Sequence, residues 1–190
     1  MATEALKATG ITNLDASPIT PNTSGEGASG FLRCATDNVA STAGMLLGST
    51  YKMVRIPTNA KIKQVFLTCA AHGGASAVDI DVAYSDSTTD GTQPALAGTL
   101  GNIVQISAAD NKLFGSATTV VSALKNSDVT LNNTFTSAHK NLPLFQVLIN
   151  LGTTDFTADP KGFFDLILKT TATDTSGGNF ELMVYYVVGP

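Results

Sequence analysis

Three groups of residues in this sequence have types that could do chemistry, and each lacks part of what that chemistry requires. The first is Gly25–Gly30, which reads G-x-G-x-x-G. A dinucleotide-binding loop needs a hydrophobic strand before this motif, a helix after it, and an acidic residue about twenty positions further on. Here Pro18 and Pro21 precede the motif, and the expected acidic position falls near Ser49–Thr50. The pattern therefore predicts a flexible hinge and no bound cofactor.

The second group consists of cysteines and histidines. Cys69 and His72 have the spacing of two metal ligands, and Cys34 could be a third. A structural zinc site needs four ligands in a closed set, and only His139 remains, far along the chain. Catalytic thiol chemistry would need a base and an orienting group beside the cysteine. The sequence favours two reduced, buried cysteines and no metal, although it leaves open whether they pair.

The third group is a cluster of aspartates within twelve residues, at positions 79, 81, 86 and 90. Carboxylates at this density could bind a hard cation such as calcium. The loop that follows Tyr84 lacks the regular ligand ladder and the terminal glutamate of a calcium loop, so the aspartates are predicted to be solvated. No G-x-S-x-G nucleophile motif is present. With no paired groups at catalytic spacing, the sequence predicts no enzyme and no catalytic residue.

The amino-acid composition indicates what kind of surface this protein presents. Only 14% of residues are charged, against about 25% in typical soluble domains. Small uncharged residues replace the missing charges, and a surface of this kind can be covered by neighbouring subunits at little desolvation cost. The net charge of −4 argues against direct binding of nucleic acid. No apolar run is long enough to span a membrane, and no signal peptide is visible, so a soluble protein made in a cytoplasm is expected.

The chain divides into two parts. Residues 1–30 carry no hydrophobic face of their own and are predicted to form an extended N-terminal arm that is ordered only against a neighbour. Residues 31–190 contain seven to nine short runs with the period-two alternation of strands. The intervals are too short for crossover helices, which favours an antiparallel β-sandwich. Because several connections are long, a jelly roll is preferred among all-β folds.

The predicted strands lie at residues 31–36, 50–56, 62–71, 78–84, 116–122, 128–135, 144–151, 163–171 and 180–188. In the run 78–84, Asp79 and Asp81 are expected on a solvated face. The last two runs flank a turn with Gly177–Gly178, which is typical of a hairpin.

Two sets of apolar residues have no place in such a core and are predicted to form protein interfaces. In the last run, Met183 and Tyr185 are apolar on the face opposite Leu182 and Val184. A strand that is apolar on both faces is either central between two layers or covered by another subunit. The second set lies in the arm and comprises Leu6, Ile11, Leu14 and Ile19.

A family resemblance enters at Ser49–Ile62, which reads STYKMVRIPTNAKI. It resembles the Tyr-x-x-x-Arg-(Ile/Leu)-Pro-x-Asn-Ala-x-(Ile/Val) stretch of small structural proteins of tailed bacteriophages. Residues 1–7, 83–87 and 108–116 resemble the same proteins.

The resemblance implies a capsid decoration (cement) protein with a β-rich body. Such a protein stabilises the outer surface of the virion by bridging neighbouring capsid subunits. The implied partners are the major capsid protein and further copies of the chain, with a trimer favoured. The resemblance carries no catalytic residues. The alternatives are a minor capsid or tail component, and a β-sandwich module that binds host-surface ligands.

Overall fold

The structure is a computed structural model that describes residues 31–41, 47–85, 103–106, 112–172 and 176–188. The predicted arm at 1–30, with its four apolar interface residues, lies outside the described residues. The boundary between arm and body therefore stays a prediction.

The described residues form two four-stranded antiparallel sheets and two short helical segments. The strands are β1 Leu32–Ser41, β2 Thr50–Pro57, β3 Ala60–Cys69, β4 Ala77–Tyr84, β5 Gly115–Thr119, β6 Leu124–Asp128, β7 Phe163–Thr170 and β8 Gly178–Val188. A 3-10 helix spans Ser137–Asn141, and helix α1 spans Leu144–Asn150. Among the described residues, no helix is long and apolar enough to cross a membrane.

One sheet has the strand order β1-β8-β3-β6 and the other has the order β2-β7-β4-β5. We call them the 1-8-3-6 sheet and the 2-7-4-5 sheet. Both contribute side chains to a single hydrophobic core, which confirms the predicted all-β sandwich. The pairs β1 with β8, β2 with β7, β3 with β6 and β4 with β5 are those of one long hairpin rolled into two sheets. The jelly roll stays a prediction.

The core lies between the two sheets because one face of each central strand is apolar. Val82 on β4, Leu166 on β7 and Val184 on β8 are each no more than 2% exposed. Tyr51 of one sheet and Phe180 of the other place their ring centroids 6.0 Å apart across the core. Burial of such side chains stabilises the fold by roughly 1.5–3 kcal/mol each.

A register shift on β3 determines which of its side chains lie on the outer face of the sheet. On β3 a shift between Ile62 and Gln64 places two consecutive residues, Lys63 and Gln64, between the buried Ile62 and Val65. Because side chains alternate along a regular strand, one extra residue of this kind keeps both Lys63 and Gln64 on the outer face.

Helix α1 occupies a position where the sequence predicts a strand. Its buried residues are Leu144, Val147 and Leu148, which follow the i, i+3, i+4 spacing of a helix. Pro143 precedes the helix, where its fixed φ is compatible with a helix start. The alternation of Phe145 and Val147 is a misleading signal, because a seven-residue apolar stretch fits either period.

Two other expectations about elements are wrong. The expected strand at 128–135 is replaced by β6, which ends at Asp128, and by the turn that follows it. The last two strands do not form a hairpin, since β7 pairs with β2 and β4 whereas β8 pairs with β1 and β3. Long-range pairing therefore overrides the short turn between them.

Candidate interaction surface

The outer face of the 1-8-3-6 sheet carries an open groove of about 520 Å³. Its lining residues come from all four strands and are Leu32, Lys63, Gln64, Phe66, Asn126, Met183 and Tyr185. We call this the outer groove. A groove of this size is within the range of ligand and peptide pockets.

The floor of the groove is apolar and partly aromatic. Phe66 on β3 and Tyr185 on β8 stand edge to face, with ring centroids 6.1 Å apart and an interplanar angle of 89°. Met183 lies directly opposite Phe66 in the strand register. At the β1 end, Leu32 remains 63% exposed and the preceding Phe31 is 85% exposed. Aromatic residues and methionine are enriched at the centres of protein interfaces relative to an ordinary surface.

The rim of the groove is polar and held in place by hydrogen bonds. The Lys63 Nζ donates to Asn141 Oδ1 at 3.1 Å. The Asn126 backbone N–H donates to Thr68 Oγ1 at 3.1 Å. Asn126 has a φ of +47°, a conformation that asparagine tolerates better than most residues. An apolar floor with a polar rim is the usual anatomy of a protein-binding surface.

Of the interface residues predicted from the sequence, the structure brings Met183 and Tyr185 together in this groove. Both are half-buried, while Val187 on the same face is only 5% exposed. The strand β8 is central in its sheet, and its outer face is nevertheless open at these two residues. Sequence reasoning missed Leu32 and Phe66, although Phe66 alternates with the buried Val65 and Leu67 and could have been assigned to the outer face.

The aspartates considered for cation binding have structural partners instead. Asp79 and Asp81 on β4 are each 3% exposed, so the expectation of a solvated face is wrong. Asp79 Oδ1 accepts the Ala117 N–H at 2.7 Å, and Asp81 Oδ1 accepts the Leu113 N–H at 3.0 Å. Lys112 Nζ lies 3.6 Å from Asp79 Oδ2. The two carboxylates thereby tie the segment around β5 to β4.

Burial dominates the acidity of one of these carboxyls. It raises the pKa of Asp81 to about 7, with a further rise from the neighbouring Asp79 and an opposing effect of the Leu113 N–H, Lys169 and Lys112. The other two aspartates of the cluster, at positions 86 and 90, lie outside the described residues. Across the described ranges, no group of three or more His, Cys, Asp or Glu side chains could hold a metal ion.

The cysteines and His72 are also placed away from any shared site. Cys69 faces the core and its thiol pKa is raised by burial, whereas Cys34 is exposed, so the expectation that both are buried is wrong for Cys34. Both thiols are free. The buried His72 ring stacks on Phe180 with centroids 4.2 Å apart. The C-x-x-H spacing thus reflects packing at the end of β3.

The stretch that carries the family resemblance has a structural explanation in β2 and β3. Arg55 binds Asp165 of β7 through two hydrogen bonds, Nε to Oδ1 at 2.7 Å and Nη2 to Oδ2 at 2.9 Å. Ile56 and Ala60 are fully buried, and β2 ends at Pro57. The turn between them is held by Thr58, whose Oγ1 donates to Asp159 Oδ1 at 2.6 Å.

Comparison with known proteins gives little further information. No protein-family model matches the chain, and no curated protein matches it. Among solved structures, a chain from the cyanophage Pam1 capsid asymmetric unit resembles this one with a TM-score of 0.47 and 13% identity, over 92% of this chain and 96% of that chain. A likeness of this degree bears on neither the fold nor the function.

Proposed function

We propose that this chain is a structural protein of a tailed-bacteriophage virion that decorates the capsid and stabilises it by bridging neighbouring capsid subunits. The observation that carries the proposal is the outer groove, an exposed apolar surface on a chain with only 14% charged residues. The sequence resemblance at Ser49–Ile62 supplies the kind of assembly in which such a surface would be covered.

The mechanism follows from the energetics of a pressurised shell. Packed nucleic acid pushes outward on a filled capsid, and a bridging protein adds contacts that must be broken before capsid subunits separate. Each contact can be weak, because a bridge with two attachment points gains affinity from effective concentration. In this proposal the outer groove with Met183 and Tyr185 forms one contact of the chain within the shell, and the apolar residues of the arm form another. Each contact is made with a capsid subunit or with a neighbouring copy of the chain. The chain acts on the outer surface as a homo-oligomer, with a trimer favoured, and the major capsid protein is its partner.

The arm can be tested by deletion. Every buried residue of the described core cluster lies between Met53 and Tyr186, so removal of residues 1–30 should leave the body folded, as measured by circular dichroism and thermal unfolding. Occupancy on purified capsids, measured by co-sedimentation, should fall at least about tenfold, since one of two attachment points is lost. Undiminished occupancy of the folded, truncated protein would remove the arm from the proposal.

The groove can be tested with one charge. Met183→Lys places an ammonium group on the apolar floor, and because Met183 is half-buried at the outer face, the fold should tolerate it. Capsid occupancy should fall about tenfold or more, since a lysine at the centre of an interface must be desolvated. Thr119→Lys, at an exposed position of the other sheet, is the matched control and should bind normally. Equal occupancy of the two variants would contradict a role for the groove.

A tail or minor capsid component is the competing structural role. It predicts a few copies per particle, whereas decoration of a lattice predicts hundreds. Copy number therefore distinguishes the two.

A further inference from the structure

We propose that the outer groove binds the segment Pro18-Ile19-Thr20-Pro21 of a neighbouring copy of this chain. The groove and the segment match in chemistry and in size. Their assignment to two different copies rests on the proposed function, since an arm that returned to its own body would bridge nothing.

The chemical match is between prolines and aromatic rings. The segment has the P-x-x-P spacing, which favours the left-handed polyproline II conformation. Segments of this kind dock in aromatic-lined grooves, because they are extended before binding and lose little conformational entropy. The outer groove offers the edge-to-face pair of Phe66 and Tyr185, with Met183 beside it. Ile19, between the prolines, provides an apolar side chain for this floor.

The segment also fits within the groove. Lining residues on all four strands span three strand spacings, which is about 14 Å at roughly 4.8 Å per spacing. Polyproline II rises about 3.1 Å per residue, so the three steps from Pro18 to Pro21 cover about 9 Å.

The chain leaves the body beside the groove. Leu32, which lines the groove, is the first residue of β1, and eleven peptide steps separate it from Pro21. Fully extended, these steps span up to about 36 Å. That reach is sufficient for the segment of one copy to enter the groove of an adjacent copy.

A native thiol allows a direct test in the full-length chain. Cys34 is exposed and lies directly opposite the groove residue Tyr185 in the register of β1 and β8, so its thiol lies beside the groove. Thr20→Cys places a thiol in the segment without changing either proline or Ile19. Under mild oxidation we expect disulfides between the introduced thiol of one copy and Cys34 of another. They would be seen as dimers and larger rings on non-reducing gels and identified by mass spectrometry of the linked peptides.

The matched control moves the receiving thiol to the other sheet. Cys34→Ser with Thr119→Cys, in the Thr20→Cys background, retains one exposed cysteine on β5 and should give about tenfold fewer links to the segment, because a thiol away from the groove meets the segment only by collision. Equal yields in the two backgrounds would overturn the proposal, because they would show random collision. Links formed within a single copy, or no links at all, would overturn it as well.

A second variant pair tests the polyproline element. Pro18→Ala with Pro21→Ala should lower the yield of links between the introduced thiol and Cys34 several-fold, whereas Ser17→Ala with Thr23→Ala should leave it unchanged. An unchanged yield in the proline variant would overturn the proposed binding mode. Capsid binding of the natural chain is measured separately. If the disulfide links are absent and the natural chain still binds capsids, this inference is rejected and the proposed function stands.

Discussion

Asp81 is the residue whose burial has the clearest consequence for stability. Its carboxyl is 3% exposed and accepts one backbone N–H, and burial raises its pKa from 3.8 to about 7. Between these two values the folded protein retains a proton that the unfolded chain has lost. The free energy of unfolding therefore falls as pH rises through this window and levels off above it.

Asp81→Asn should remove this part of the pH dependence. Asparagine keeps an oxygen for the Leu113 N–H and carries no charge, so the variant should match the natural protein near pH 4. At pH 8 it should be more stable, by on the order of a few kcal/mol. Chemical denaturation across pH 4–8 measures the difference.

The exposed Asp37→Asn on β1 is the control for Asp81 and should keep the natural slope. The stability of the natural protein is compared with that of Asp81→Asn at each pH. If this difference does not change between pH 4 and 7, Asp81 is charged in the folded state.

Arg55 has a different role, because it neutralises a carboxylate that the fold has buried. Asp165 is 2% exposed and receives both hydrogen bonds of the guanidinium fork. Arg55→Ala should destabilise the protein by about 1–3 kcal/mol, since a buried charge would lose its partner. Arg55→Lys should recover only part of this, because an ammonium group cannot bind both oxygens in the same plane.

A double-mutant cycle of Arg55→Ala with Asp165→Asn tests whether the two residues interact. The double variant should cost less than the sum of the two single variants. Additive costs would show that the two residues do not interact.

At the scale of elements, the two cysteines report the arrangement of β1, β8 and β3. Cys34 pairs with Tyr185 on the outer face, and Cys69 pairs with Phe180 on the inner face. The two cysteines are separated by two strand spacings, about 10 Å, and by the stretch of β8 from Phe180 to Tyr185. Their Cα atoms therefore lie beyond the roughly 7 Å limit of a disulfide. The native protein should contain two free thiols of unequal access.

A thiol reagent such as DTNB measures this directly. We expect one rapidly reacting thiol per chain in the native state and two after denaturation, with Cys34→Ser removing the rapid one. Two rapid thiols, or none, would contradict the placement of these strands.

The sequence predicts the strands well where alternation is long and where one face is clearly apolar. β2, β4, β7 and β8 lie close to their predicted positions, because β-branched and aromatic residues repeat there with period two. The strand prediction for 144–151 is wrong because the apolar residues of that stretch satisfy both periods. The pairing of β7 and β8 could not be derived either, since partners in a sheet are fixed by core contacts far apart in sequence.

The candidate surface could be predicted only in part for the same reason. Met183 and Tyr185 are visible in the sequence as apolar residues on a second face of one strand. Phe66 becomes their neighbour only through the register of β3 with β8, and Lys63 reaches the rim only because of a register shift. Local patterns therefore identify single residues of the groove, whereas its shape depends on pairings between strands.

The molecule as a whole is a sandwich whose two sheets differ in their outer faces. The outer face of the 2-7-4-5 sheet includes the ion pair between Arg55 and Asp165. The 1-8-3-6 sheet instead presents Leu32, Phe66, Met183 and Tyr185 around an open groove. This asymmetry orients the molecule and indicates which face would be covered in an assembly.

The proposed function requires that this chain cover the outside of a phage capsid in many copies. Quantitative mass spectrometry of purified particles, combined with cryo-electron microscopy of the same particles, is the decisive measurement. We predict hundreds of copies per particle, with density for the sandwich on the outer lattice and the 1-8-3-6 sheet in contact with a neighbouring subunit. Absence of the chain from the particle, or only a few copies at a single vertex or on the tail, would show that the chain does not decorate the capsid.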